Sequence, residues 1–380
     1  MDFCLSHSQA QLAARMRDFA LSALALEPTQ APAFDRFWRK VSEAGLTGLT
    51  LPREFGGQGY GLLDGVLAME ALAEAGTDPG LLFSLGVHLF AIPGPMLALA
   101  TPEQQARWLP AMARGEVLTA FATSEDGAGS DAFALATTAR EAGDGFLLTG
   151  EKLWVTNAPE AGLFLVSART DDIAGAFGIS CFVVARDAPG VSVTEGPVKV
   201  GLNGAPWGTL TLDDVRVPAS DMLGARGGAG TVFQEAMRWE RCGLFAIPLG
   251  AIERGLAACV ERLAERKQFG AALIDNAAVA RSIALIKSRM EAARLLIYKA
   301  AASIDQGEAD DLAISVAKAY ASEAALESAL EIQKLYGALG VLRDSQAAKL
   351  VSEMQPFRVL SGSNEVHYQV IARLVRVAGG

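Results

Sequence analysis

Cations are outnumbered in this chain, histidine is scarce, and its cysteines stand apart. Its 380 residues carry 33 Lys+Arg against 43 Asp+Glu, a formal net charge of −10. Without surplus cations to neutralise phosphates, a general nucleic-acid binder is excluded, although a local basic patch is not. The three histidines (His7, His88, His367) and four cysteines (Cys4, Cys181, Cys242, Cys259) are widely separated, and no Cys-x-x-Cys pair occurs. This spacing gives no zinc ribbon, no metal site and no disulfide scaffold. It predicts buried free thiols in a reducing cytoplasm.

The sequence also lacks a Walker A loop, a His-Glu-x-x-His helix, a Gly-x-Ser-x-Gly elbow and a strand followed by Gly-x-Gly-x-x-Gly. The glycines between Gly224 and Gly230 read as a helix-entry loop, with a phosphate cradle as the weaker alternative. The N-terminus has neither the basic start nor the apolar centre of a signal peptide. One uncharged run, 79–102, is long enough to span a bilayer. Pro79, Gly80, Gly86, Pro93, Gly94 and Pro95 break it into short pieces, which predicts buried helices and no membrane span.

What is present is apolar and patterned. Hydrophobic residues make up 51% and charged residues 20%, the composition of a globular protein with two or three cores. Three zones follow one another. In 1–117 apolar residues recur at helical spacing, at 8–12, 34–44, 62–75 and 102–113, the last with Thr101 as N-cap and Pro102 behind it. In 118–226 the pattern shortens to β-rich runs at 145–149, 152–156, 163–167, 179–184 and 208–212, separated by turns such as Gly143-Asp-Gly145 and Pro189-Gly190. In 227–380 long helical patterns return, over 231–268, 277–306, 310–335, 346–360 and 364–376. Helices, then strands, then helices is the order of an α+β protein. It predicts an N-terminal helical domain, a small antiparallel, β-barrel-like middle domain and a C-terminal four-helix bundle.

Four signatures in register resemble the acyl-CoA dehydrogenase family over nearly the whole chain: Leu51-Pro-Arg-Glu-Phe-Gly-Gly-Gln-Gly59 with Met69-Glu70; Thr123-Ser-Glu-Asp-Gly-Ala-Gly-Ser-Asp131 with Gly150-Glu-Lys-Leu-Trp-Val-Thr-Asn157; Glu265-Arg-Lys-Gln-Phe-Gly270; and Ser361-Gly-Ser-Asn-Glu-Val366. The resemblance implies FAD, a homotetramer or homodimer, and removal of hydrogens from the α and β carbons of an acyl thioester. It implies cofactor contacts at Phe121, Thr123, Ser124, Ser130, Trp154, Thr156, Ser363 and Glu365. It also implies contacts from a neighbouring subunit at Arg266, Phe269, Lys334 and Gly337. Trp154 and Thr156 share one face of a strand by its period of two. Substrate contacts are implied at Ser130, Arg241, Ser361 and Gly362.

The sequence departs from the family at the proton-removing base. Many members carry a glutamate where Ser361 stands, and an unassisted serine hydroxyl cannot take that role near neutral pH. Glu240, in Met237-Arg-Trp-Glu-Arg-Cys242, matches the alternative base position of isovaleryl-CoA and long-chain dehydrogenases. The bland alternative is a surface glutamate paired with Arg238 or Arg241, and Glu365 is the rival base. Further departures are Lys334-Leu-Tyr-Gly-Ala338 in the glycine loop and Val351-Ser-Glu353 before the last helix. The segment around Glu240, with Ser361-Gly-Ser363, is similar to dehydrogenases that act on prolyl or acyl groups tethered to carrier proteins. Expected partners are therefore a thioester on a carrier protein or CoA and an electron-transfer flavoprotein. An oxygen-using flavin oxidase or monooxygenase and a degraded binding protein are the alternatives.

Overall fold

The computed structural model describes residues 5–24 and 33–378. Helix α1 (His7–Phe19) starts at a reciprocal cap in which the Ser6 hydroxyl accepts the Gln9 N–H and the Gln9 side chain accepts the Ser6 N–H. Helices α2 (Ala33–Glu43) and α3 (Leu62–Glu74) follow. The uncharged run then forms α4 (Pro79–Gly86), a π-helical turn (Val87–Ala91) and α5 (Pro93–Leu99). Every residue from 80 to 96 is buried. Helix α6 (Pro102–Ala113) has Thr101 and Gln104 in a second reciprocal cap and Pro102 in its first turn, as its sequence predicts. Two stretches, Pro79–Leu99 and Ala229–Glu265, are long and apolar enough to cross a membrane. Both are mostly buried in the protein's own core.

Strands β1 (Thr119–Ala122), β2 (Thr138–Ala142), β3 (Gly145–Thr156), β4 (Leu163–Arg169), β5 (Ile179–Ala185), β6 (Val191–Glu195), β7 (Trp207–Pro218) and β8 (Met222–Leu223) make one sheet. Its order is β6-β7-β3-β2-β4-β5-β8, with β1 added on β4. Phe146, Leu148, Phe164, Phe182, Leu210 and Leu212 build its core. Two expectations need correcting. The sheet is not purely antiparallel: β1 runs parallel to β4, Thr119 opposite Leu163, and β2 meets β4 in parallel at Thr138 and Arg169. The long path through β2 and β3 supplies the crossover that parallel pairing needs. The runs 145–149 and 152–156 are one strand, with register shifts at Leu148/Gly150 and Lys152/Val155.

The predicted 231–268 helix is two, α7 (Ala229–Gly243) and α8 (Ala246–Glu265). Pro248 explains the break: it has no N–H for the Leu244 carbonyl and its ring would collide with that carbonyl. Ile247 N–H takes the Leu244 carbonyl instead, at 3.2 Å. A short hairpin, β9 (Lys267–Gln268) and β10 (Ala271–Ala272), leads to α9 (Ala277–Asp305) and α10 (Asp311–Leu335), which pack together with α8. Helix α11 (Gln346–Met354) stops short of the expected 360, because Pro356 diverts the chain into a 3₁₀ turn, Gln355–Arg358. Helix α12 (Asn364–Ala378) closes the bundle against α10. Cys181, Cys242 and Cys259 are buried free thiols; Cys4 lies outside the described residues.

Candidate active site

Helix α7 carries the central acid. Val232, Ala236, Met237 and Glu240 are buried along it, and Trp239 lies flat on α5, where a Cβ at Gly94 would meet its indole at 2.8 Å. Glu240 is therefore no surface residue: it is 9% exposed. Nor does Arg238 pair with it, because that guanidinium binds Asp311 and Glu235 at 2.8 and 2.7 Å. Burial pushes the Glu240 carboxyl up to about 7, against opposing pulls from the Ser361 hydroxyl and the Arg241 charge.

Opposite Glu240 is the turn before α12. The Ser361 hydroxyl donates to Glu240 Oε1 at 3.0 Å. Ser361 adopts φ +54° and Gly362 φ +91°, so this turn uses left-handed backbone that costs a serine about 1 kcal/mol or more. Three groups pin it. Arg241 Nε donates to the Ser361 carbonyl at 3.1 Å, and His367 Nε2 reaches the same oxygen at 3.2 Å. Lys318 Nζ donates to the Gly362 carbonyl and to Asn364 Oδ1, each at 2.7 Å. A carbonyl only accepts, so His367 carries its proton on Nε2. Burial first, then Arg241 and Lys318, lower its pKa to about 4. Lys318 is fully buried, and burial followed by Arg241 pulls it down to about 7. Glu365, the rival base, is exposed on the first turn of α12 and held low by its own backbone N–H and Ser363.

Immediately before Ser361, Leu360 enters a second feature. A cavity of about 510 Å³ is lined by Trp154, Thr156, Phe83, Leu202, Trp207 and Leu360, among others. Trp154 is 55% exposed despite lying in a strand, and it tilts against Trp207 with ring centroids 5.2 Å apart. The simple alternation expected for Trp154 and Thr156 does not place them: Trp154 has φ +59° within the register shift, yet both line this space. The preceding signature runs alongside. Leu153 N–H donates to the Ser124 carbonyl at 2.9 Å, and Lys152 Nζ reaches the Thr123 carbonyl at 3.4 Å and Glu125 Oε1 at 2.6 Å. Phe121 packs on Phe233 of α7 with ring centroids 6.3 Å apart, and Ala128 shares a small buried cluster with Leu135, Ile179 and Ala229 at the start of that helix. Ser130 is exposed and Ser363 half-buried.

The structure does not bring the remaining cofactor candidates to this cavity. Arg266, Phe269, Lys334 and Gly337 are all exposed. Phe269 stands clear of the surface at φ +51°, Arg266 has no ion pair among the described residues, and Lys334 pairs with Glu331 on its own helix at 2.9 Å. An apolar cavity walled by an exposed indole fits a flat tricyclic ring such as a flavin's. The free Arg266 beside a bare phenyl fits a diphosphate and an aromatic base approaching from outside this chain.

Sequence reasoning overlooks Lys318 and His367 as parts of this site. Lys318 had a signal: it sits four residues after buried Ile314 and three before buried Ala321, on the apolar stripe of α10 where a lysine needs an internal partner.

The family descriptions acyl-CoA dehydrogenase N-terminal, middle and C-terminal domain match residues 6–116, 120–215 and 228–375. An L-prolyl-[peptidyl-carrier protein] dehydrogenase of Pseudomonas fluorescens is 37% identical over 99% of this chain and 100% of its own length. The solved FAD complex of PigA superimposes with a TM-score of 0.94 at 31% identity, covering 100% of both chains. A prolyl acyl carrier protein oxidase, AnaB, has a TM-score of 0.94 at 31% identity over 98% of this chain and 100% of its own. The chain belongs to the acyl-CoA dehydrogenase family.

Proposed function

We propose that this protein is a FAD-dependent dehydrogenase that introduces a double bond between the α and β carbons of an aminoacyl or acyl thioester held on a carrier protein, with a prolyl thioester as the leading substrate. One observation carries the reading: Leu360 walls the flavin-sized cavity, and the next residue bonds the single buried carboxylate of α7. This supports a base and a redox partner that flank one turn, on opposite sides of the substrate between them. FAD, when bound, supplies the two-electron acceptor for the β hydrogen. Glu240 takes the α proton at its carboxylate, and a pKa near 7 suits a base that must accept and then release it. The Ser361 backbone N–H polarises the thioester carbonyl, an interaction that strengthens as enolate charge develops. Trp154 and Thr156 would hold the ring, and Ser130, Arg241 and Gly362 would border the substrate. Arg266, Phe269 and Gly337 would reach the cofactor of a second copy, which supports a homo-oligomer as the working form; the free buried thiols suit a reducing cytoplasm.

The electron acceptor divides two readings. One relative is called a dehydrogenase and another an oxidase, so either an electron-transfer flavoprotein or dioxygen takes the electrons. The test is anaerobic bleaching of the flavin by prolyl and acyl groups, each offered on CoA and on a phosphopantetheinylated carrier protein. Bleaching by the carrier-bound form alone is expected; equal bleaching by CoA esters overturns the carrier assignment. Glu240→Gln should keep its flavin and slow bleaching by about 10²-fold or more. Bleaching at the unaltered rate removes Glu240 as the base. Reoxidation by air in the presence of product then separates oxidase from dehydrogenase.

A further inference from the structure

The residue that stands where many relatives keep their base has a side chain aimed at the base itself. We propose that Ser361 is a positioning residue for proton abstraction: its hydroxyl, donated to Glu240 Oε1, holds the carboxylate so that Oε2 is free to meet the substrate's α hydrogen. This rests on the reading of Glu240 as the base, and it adds a role for a side chain that would otherwise be a vestige.

The geometry is built for it. A serine tolerates φ +54° poorly, and nothing about a turn demands a hydroxyl there. Glycine would serve the backbone better. The turn is nonetheless fastened from three elements: Arg241 on α7, Lys318 on α10 and His367 on α12 hold the carbonyls of residues 361 and 362. The pinned carbonyls fix the direction of the Ser361 Cα–Cβ bond. At Gly362 an added Cβ would come within 3.3 Å of the His367 ring, so the imidazole closes the turn from behind. With its backbone clamped, the hydroxyl can rotate only about one bond, and it finds Glu240.

The surrounding charges define what the contact does. On its own helix, Arg241 favours the ionised carboxylate. From α10, Asp311 acts on Arg241, and Lys318 faces the turn. From α12, His367 is neutral at ordinary pH. Elsewhere around α7, Glu70 of α3 and Arg294 of α9 pair with one another at 2.7 Å. His88 of the π-helical turn bonds Thr119 and the Met112 carbonyl, and the β5 thiol Cys181 is pushed up to about 12 by burial. Helix α5 has no ionisable side chain. Among these groups, the Ser361 hydroxyl is the neutral donor bonded directly to the carboxylate, and it stabilises the charged form that accepts the proton.

Two substitutions separate the hydroxyl from the backbone. Ser361→Ala keeps the Cβ and the strain but loses the donor; Ser361→Gly loses the donor and relieves the strain. Both are compared on the FAD-loaded enzyme, following kcat/KM against pH with the carrier-bound substrate. If the hydroxyl positions and tunes Glu240, both variants move the acid limb up by about one pH unit, roughly a tenfold loss at the acid end that is recovered at high pH. If the acid limb stays put in both, or moves in Ala and not in Gly, the proposal fails and the serine serves only the turn. Glu240→Gln is the separate control. Its full activity would sink the base assignment, whereas its inactivity together with an unmoved acid limb in both serine variants sinks the positioning role alone.

Discussion

Acid should weaken this fold through a histidine far from the chemistry. His88 is completely buried between the helical and β domains, where its Nδ1 meets the Thr119 hydroxyl at 3.0 Å and its Nε2 meets the Met112 carbonyl at 3.2 Å. Trp38 packs edge-on against the ring at 5.1 Å. Burial lowers its pKa from the ordinary 6.5 to about 4, against weaker upward pulls from Met112 and Thr47. The sign follows from linkage. Between pH 6.5 and 4 the unfolded chain binds a proton at this position and the folded chain does not, so unfolding takes up a proton and stability falls as pH drops. The full loss is about 3 kcal/mol, complete near pH 4, and about 2 kcal/mol of it is reached by pH 5. The perturbation is His88→Gln, which cannot titrate. At pH 7.5 the variant should be less stable than the parent, because it disturbs a packed interface. By pH 5 the gap should shrink by about 2 kcal/mol, several degrees in melting temperature. Thermal melts of both FAD-loaded proteins at fixed flavin concentration measure it. A gap that stays constant from pH 7.5 to 5 refutes the reasoning, since it would mean His88 titrates alike in both states.

Two other outcomes can be checked with the same material. Glu125 and Lys152 form a buried pair at 2.6 Å; burial pushes the Glu125 carboxyl up, but Lys152, Thr137 and the Ala136 N–H outweigh it, so Glu125→Gln strands a buried ammonium. It should cost about 3–5 kcal/mol, and a melting temperature within a degree or two of the parent would contradict that. Trp154→Ala, at a half-exposed side chain, should change the stability of the flavin-free protein by less than about 1 kcal/mol while sharply lowering flavin content after purification. Unchanged flavin occupancy would remove Trp154 from the cofactor wall.

Much of this architecture is legible in the chain itself because local signals agree with tertiary demands. Thr101 and Pro102 open α6 where the capping rules place them, and most of the glycine- and proline-broken run 79–102, residues 80–96, is buried in short helices. The failures have physical causes. Pro248 sits inside an apolar helical pattern, so periodicity reads through a break that only the missing N–H reveals. Register shifts in β3 leave no mark in composition, and they decide how Trp154 reaches the cavity. The parallel pairing of β1 with β4 joins segments some forty residues apart, beyond any local pattern. At the site, Glu240 is singled out by motif and by the absence of a carboxyl at 361, and the structure adds its burial and its bond to Ser361. The lysine of the clamp shows as a cation on the apolar stripe of α10, but its targets and the part of His367 do not, because they are two backbone carbonyls that no sequence displays.

The turn at residues 361 and 362 works as a socket: three cationic or neutral donors grip its carbonyls and leave its side chain a separate choice. A carboxyl installed at 361 would grow from the Cβ whose hydroxyl already lies 3.0 Å from Glu240 Oε1, which brings a second acid close to the first. Two acids so close resist ionising together, and one would be kept protonated. On the proposed reading, a base at 240 and a carboxyl at 361 are thus alternatives and not a reserve of one another. With Glu240 as the proposed base, a small uncharged hydroxyl at 361 avoids that repulsion while still giving the acid a partner.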